Sequence, residues 1–408
     1  MDRETAPYTV KTIIFENGER CPAIAQASGM LAYDPNVYGM VVLRERGGSS
    51  SSNEAHLRAV IIALNWAARR GIDLRVRVQS LELLTPFEVA DLRDTLRAVQ
   101  RKPRSSKKGR AKPQKVVVAP GTLFNRCLMV RDYLSWFARA AIQRIRVDDP
   151  KILEARERLE WFEREMVANL PKPRSPDKEG LGKAARSLFL EVIRPDSDRN
   201  PFQRRHRHRN YALLLLYYET GMRRGEALKL KGEHLMLAGG QPRVRIIRDP
   251  DDRKDTRKIE PKVKTQPHDD EISSELARAL HTWMVDHRTD ADRYPGAKRT
   301  PYCFVSRRGT PLGVRTVNDM YDLLAEKVPE LGTEVYPHIL RHTSNDRFSE
   351  AAAELGLSDA EELQARNYKF GWKKGSKQGE RYKNRHARES ADRVVQRMQE
   401  KSVEGRNR

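Results

Sequence analysis

The chain has 408 residues, 38% hydrophobic and 33% charged, with 78 Lys and Arg against 56 Asp and Glu, a formal charge of +22 and a pI near 10.0. That is a soluble globular composition, long enough for roughly two to three domains with buried cores. Its charge favours a polyanion, nucleic acid first, because each neutralised phosphate releases counterions. A membrane role is disfavoured: no apolar run approaches the roughly 20 residues of a span, and neither an amphipathic anchor nor a lipidation signal is evident.

Residues 8–47 read as partly β, with β-branched runs in YTVKTIIF and GMVVLRE and a turn at 16–19. The N-terminus MDRETAPYTV lacks a secretory layout. Cys21, Cys127 and Cys303 are odd in number and far apart, so they read as reduced thiols of a cytoplasmic, DNA-associated protein. GGSSSSN (47–53) caps or leads into a helix ending at Gly71, and Thr85-Pro86 opens a second helix over 84–100. Residues 101–115 hold eight Lys or Arg, two Pro and no acid. They form a basic insertion, either a solvated linker or an arm along DNA phosphates through Lys107, Lys108, Arg110 and Lys112.

Two further helical runs follow, up to residue 170, and the Pro- and Lys-rich 171–180 reads as a linker. From about 181 the pattern is mostly helical, including the apolar YALLLLYY (211–218). Short β-like stretches interrupt it at 244–248, 263–265 and 303–305, and 391–408 is a charged tail. Arg204 and Arg205 open a run of alternating Arg and His; alternating Arg would repel a metal ion, so contact with DNA backbone is the better expectation. Asp249, Asp251 and Asp252, amid Lys and Arg, read as solvated acids rather than a two-metal site.

Five short motifs carry chemistry. They are ETGMRRGEAL (219–228), VKT (263–265), HILRH (338–342), FGW (370–372) and ERYKN (380–384). Guanidinium forks match the non-bridging oxygens of a phosphodiester in transfer. Arg223 follows a Thr-Gly turn that can aim it at a cleft, and His338 and Arg341 lie three apart, on one face of a helix. A tyrosine can act as a covalent nucleophile and a lysine as an acid for an oxygen leaving group. Each motif alone is weak.

In this order and wording the motifs resemble those of the tyrosine recombinase, or phage integrase, family, firmly over about 209–390 and more loosely over 51–170. The resemblance implies a multidomain, mainly α fold with a small antiparallel β-sheet. In it, 51–170 is a helical core-binding domain and 181–390 the DNA breaking-rejoining catalytic domain; the β-containing 1–50 has no assigned role. It implies Arg223 and Arg341 as the phosphate clamp, Glu226 as the acid that orients Arg223, and Lys264 as the acid for the departing 5′ oxygen. His338 is implied as general acid/base and Tyr382 as nucleophile. Trp372 falls where most members carry His; an indole donates one hydrogen bond but cannot titrate, so proton handling rests on His338 and Lys264. The partner implied is double-stranded DNA, bound by a homotetramer, with no metal, ATP or other cofactor; accessory DNA-bending proteins are left undetermined.

Two departures stand out. Trp372 and Tyr382 are ten apart, one more than the family's usual spacing, and the stretch before Lys264 is long, with Lys262 as a rival. Tyr368, before the GW pair, reads as a packing residue, and His342 as a packed neighbour of the site. The alternative activities are a type IB topoisomerase or hairpin resolvase, which uses a similar residue set, and a catalytically silent DNA-binding regulator. The full set of Arg223, Lys264, His338, Arg341 and Tyr382 argues against the silent regulator.

Overall fold

The computed structural model describes residues 8–99, 117–146, 148–170, 179–332, 335–376, 379, 388, 391–392 and 394–400. The chain divides into two compact units, one of residues 1–15 and 20–175, the other of residues 16–19 and 176–408. Both are mainly helical with a small antiparallel sheet, as the sequence implies.

The first unit begins with a hairpin of β1 (Tyr8–Ile14) and β2 (Arg20–Gln26), in register from Tyr8 against Gln26 to Ile14 against Arg20. Helix α1 (Tyr33–Tyr38) runs on into a wide π-helical turn over Gly39–Arg44. A strand was expected here. Tyr38 and Leu43 turn into the core beside Leu57, and that burial overrides the β propensity of the more exposed Val41 and Val42.

Helix α2 (Ser50–Arg69) is capped by Ser49, whose hydroxyl accepts from Ser52 N at 3.1 Å. Helix α3 (Leu74–Gln79) was not anticipated, since LRVRVQ alternates like a strand. Asp73 starts it by accepting from the N–H groups of Arg75 and Val76. Helix α4 (Pro86–Arg97) begins with a reciprocal box: Thr85 N donates to Glu88 at 2.8 Å and Glu88 N to the Thr85 hydroxyl at 3.3 Å. Helices α5 (Pro120–Ile142) and α6 (Lys151–Glu165) complete the unit. The hairpin and helices share one core, centred on Leu57, Trp66, Leu92, Val130, Tyr133 and Phe162.

The second unit is built on α8 (Arg207–Thr220), buried on nearly every face and packed against α7 (Lys183–Ile193) and later helices. Then come α9 (Arg224–Lys229) and the strands β3 (Leu235–Met236), β4 (Arg243–Ile246) and β5 (His268–Glu271), paired antiparallel in that order. The strand expected at 244–248 is β4, with Val244 and Ile246 in the core. No strand forms at 263–265. Besides β3, β4 pairs with the acidic HDDE of β5, and Thr265 bonds the Glu226 side chain instead. Residues 303–305 are buried but form no named strand.

Helices α10 (Ser274–Thr282), α11 (Val314–Lys327), α12 (Ile339–Glu354) and α13 (Asp359–Lys369) complete the unit. Helix α12 buries polar residues. Asn345 and Ser349 on it, with Glu362 and Arg366 of α13, form a hydrogen-bonded set around the fully buried Arg366 guanidinium. No described helix is long and apolar enough to cross a membrane, and the three cysteines are buried free thiols.

Candidate active site

Helix α8 ends at Gly221, with φ +65°. A Cβ there would lie 2.8 Å from the Ser344 side chain and 2.9 Å from the Phe370 ring, so conformation and space both require glycine. The chain then turns and places Arg223 at the N-cap of α9. Glu226 reaches back from the first turn: one carboxylate oxygen accepts Arg223 N at 2.7 Å, the other the Arg223 guanidinium at 3.2 Å. Glu226 is 2% exposed, so its two bonds fix an arginine whose side chain is 24% exposed.

The same carboxylate holds the segment carrying Lys264. The Thr265 hydroxyl donates to Glu226 Oε1 at 3.0 Å. The Lys262 carbonyl lies so close to Gly225 that a Cβ there would sit 2.3 Å from its oxygen. On the far side Gln266 N donates to Gly371 O at 2.9 Å, and Gly371, at φ +59°, has the His268 ring 2.6 Å from where a Cβ would be. Lys264 is thus an exposed side chain on a backbone stapled at 262, 265 and 266, and the rival Lys262 is half-buried.

Arg341, on the first turn of α12, is 2% exposed. It donates to Gly221 O at 2.7 Å, which binds it to the turn that aims Arg223. Its guanidinium lies 5.0 Å from the centre of the Phe370 ring and 5.4 Å from that of Trp372, and the two rings stack on each other. His338 is the N-cap of α12 and is exposed; its ring meets that of His342 edge-on at 5.2 Å. Desolvation by its surroundings first, then His342, Arg341 and Arg223, push its pKa down to about 4 against the pull of Glu226. His338 is therefore neutral near pH 7, with a nitrogen able to accept a proton.

Arg223, Glu226 and Thr265 are joined by hydrogen bonds, Arg341 packs on the Phe370–Trp372 pair, and the backbones of Gly221 and Gly371 link the two groups; His338 lies within electrostatic reach of Arg223, Glu226 and Arg341. Tyr382 lies outside the described residues, as do Lys107, Lys108, Arg110 and Lys112. Arg204 and Arg205 are exposed in a short turn, whereas Arg207 and Arg209 turn inward onto carbonyl groups, which narrows the basic run to its first two arginines. Tyr368, expected to pack, is 76% exposed on α13. Asp249 and Asp252 are not simply solvated; both pair with Lys231 at 2.9 Å. Sequence reasoning missed Thr265, Gly225 and Gly371 because their partners are far away in the chain. Cavities of about 450 Å³ (beside Arg131 and Trp136) and about 800 Å³ (beside Met236 and Met284) contain none of these residues.

Residues 198–363 match the profile of the phage integrase family. That span includes Arg223, Glu226, Lys264, His338 and Arg341 and stops short of Trp372 and Tyr382. The tyrosine recombinase XerC of Pseudomonas putida is 28% identical over 147 residues, 36% of this chain and 41% of that protein. The type 1 fimbriae regulatory protein FimE of Escherichia coli K12 is 27% identical over 151 residues, 36% of this chain and 65% of that protein. The chain therefore matches less than two thirds of the length of either relative. Among solved structures, XerH site-specific recombinase bound to its difH substrate aligns over 80% of this chain and 92% of that one, at 12% identity and a TM-score of 0.39.

Proposed function

We propose that this chain, whose residues 198–363 match the phage integrase family profile, is a member of that family and a site-specific DNA recombinase that cuts and rejoins strands through a 3′-phosphotyrosine link. The observation that carries this reading is the Glu226 carboxylate, which holds Arg223 and the Lys264 segment together at the turn that Arg341 also binds. Two arginines tied to one turn, the partly exposed Arg223 and the buried Arg341, with the exposed Lys264 on the segment bonded to Glu226, suit a phosphodiester in transfer better than a small-molecule reaction, which needs an enclosed pocket.

In the proposed step the Tyr382 oxygen attacks phosphorus and the bond to the 5′ oxygen breaks. Neutral His338 takes the phenolic proton, and Lys264 gives one to the departing oxygen, leaving a 5′-hydroxyl. Arg223 and Arg341 neutralise charge that grows on the non-bridging oxygens. The energy of the cut bond stays in the phosphotyrosine, so religation by a second 5′-hydroxyl needs no ATP. Paired cleavages on two sites call for four protomers on double-stranded DNA, and integration or excision of a mobile element is the biological setting proposed. The basic net charge, with Arg204 and Arg205 exposed, supports DNA as the partner.

The test is strand exchange between duplexes carrying the sequences that flank the gene. Recombinant products are expected, with cleavage reduced by roughly 10²–10³ in Arg223→Ala and Arg341→Ala. Relaxed circles or hairpin ends without exchange would replace this reading with a topoisomerase or resolvase. Undiminished cleavage by either variant would remove that arginine from the site.

A further inference from the structure

The long stretch before Lys264 is irregular in backbone yet deeply packed. Asp255, Arg257 and Glu260, and Thr265 just after it, are each less than a tenth exposed. Its bonds fall in order along α9. At the C-terminal end of that helix Glu260 and Lys229 form a buried pair at 2.6 Å, and Arg257 donates to the Leu228 carbonyl at 3.0 Å, one of the helix's last carbonyls. At the N-terminal end Lys262 packs on Gly225 and Thr265 bonds Glu226. The stretch thus runs back along α9 and brings the 262–265 segment, which carries Lys264, against Gly225 and Glu226.

Three further contacts lock the start of this return. Glu260 accepts the backbone N–H groups of Asp251 and Asp252 at 3.1 and 3.3 Å, closing the loop that precedes it. Arg257 forks onto Asp255 and also bonds the Leu312 carbonyl. Tyr302 donates to Asp252 at 2.6 Å, and its ring lies under Arg257 at 4.8 Å and within 5.9 Å of Lys229 and Lys231. Burial would raise the Asp252 carboxyl, but the bonds from Tyr302 and Lys231 outweigh it and hold the group charged. Burial first, then the Asp252 bond, keeps Tyr302 protonated as the donor. Charged pairs this buried add little stability over apolar residues of the same size. What they supply here is one fixed path for the backbone.

We infer that Glu260 and Tyr302, with Lys229 and Arg257, are positioning residues that preset the lysine on the 262–265 segment in the active site before DNA arrives. The inference rests on the proposed role of Lys264 as acid for the leaving 5′ oxygen. Glu260→Gln weakens the pair with Lys229 while keeping the side-chain shape, and Tyr302→Phe removes one hydroxyl only.

The experiment compares single-turnover cleavage of a nicked substrate carrying either a normal 5′ oxygen or a bridging 5′ sulfur, which leaves without a proton. Adduct at the end point on the sulfur substrate counts active molecules, so partial misfolding is corrected. On oxygen, Glu260→Gln is expected to be slower by at least about tenfold, and Tyr302→Phe by about threefold. On sulfur, both are expected within about twofold of the parent protein, and Lys264→Ala added to Glu260→Gln should cost no more than Lys264→Ala alone. Equal losses on both substrates, no loss on oxygen, or multiplied losses in the double variant would overturn the inference. If Lys264→Ala itself is not rescued by sulfur, the acid assignment falls and the positioning role with it. If Lys264→Ala is rescued and the other variants are not, only the positioning role falls.

Discussion

Glu226→Gln isolates what the buried carboxylate does. The amide oxygen can still face Arg223 N, now 2.7 Å from the carboxylate. The amide NH2 then points at the Arg223 guanidinium and the Thr265 hydroxyl, now 3.2 and 3.0 Å from the other oxygen. Thr265 can turn its hydroxyl to accept, but the guanidinium meets a donor and loses a charge-assisted bond. Such a bond contributes about 1.5–3 kcal/mol, or roughly 10–10² in rate where the geometry of Arg223 sets the barrier. DNA affinity should change by less than about threefold, because binding is spread over many phosphates. The assay is single-turnover cleavage of a nicked substrate beside a gel-shift titration. Combining Glu226→Gln with Arg223→Ala should be no slower than Arg223→Ala alone, since the carboxylate acts through that arginine. A double variant slowed by the product of the two losses would refute this and move the action of Glu226 to Thr265 and the Lys264 segment.

The acidic limb of the cleavage rate at low DNA concentration should lie near pH 4, the depressed value of His338, rather than near the ordinary 6.5. Because folding disfavours the imidazolium, His338 also costs stability as pH falls from 6.5 toward 4, and His338→Gln should flatten both profiles; limbs unchanged in that variant would exclude His338. Arg366→Met leaves Glu362 and Asn345 buried beside an apolar chain and should lower unfolding stability by about 3–5 kcal/mol in denaturant titration; a loss within about 1 kcal/mol would show that the network relaxes. Replacing Lys107, Lys108, Arg110 and Lys112 with Gln should weaken binding equally on specific and random DNA. Each lost phosphate contact should flatten the slope of log K against log salt by about 0.9; an unchanged slope would make the insertion a solvated linker.

Most of the helices were legible in the sequence because they rest on local signals, and Arg223, Glu226, His338 and Arg341 were singled out by the wording and order of their motifs. Thr85-Pro86, the Thr220-Gly221 stop, and the three-residue spacings of Arg223 to Glu226 and His338 to Arg341 each lie within one turn of chain. What escaped depended on distant partners. The 263–265 segment reads as a strand, but Thr265 bonds Glu226, the following Gln266 bonds Gly371, and the polar HDDE takes the place beside β4. The turn over Gly39–Arg44 is helical because Tyr38 and Leu43 face the core. Asp252 reads as solvated until Tyr302, fifty residues on, is seen to donate to it.

Cleavage should leave DNA bonded to Tyr382, which is tested by trapping the adduct on a nicked substrate, digesting it and finding by mass spectrometry which residue carries the nucleotide. The modified peptide is expected to contain Tyr382, and Tyr382→Phe to bind the same DNA with no adduct. A nucleotide on Tyr368 or any other side chain, or an adduct that persists in Tyr382→Phe, would contradict it.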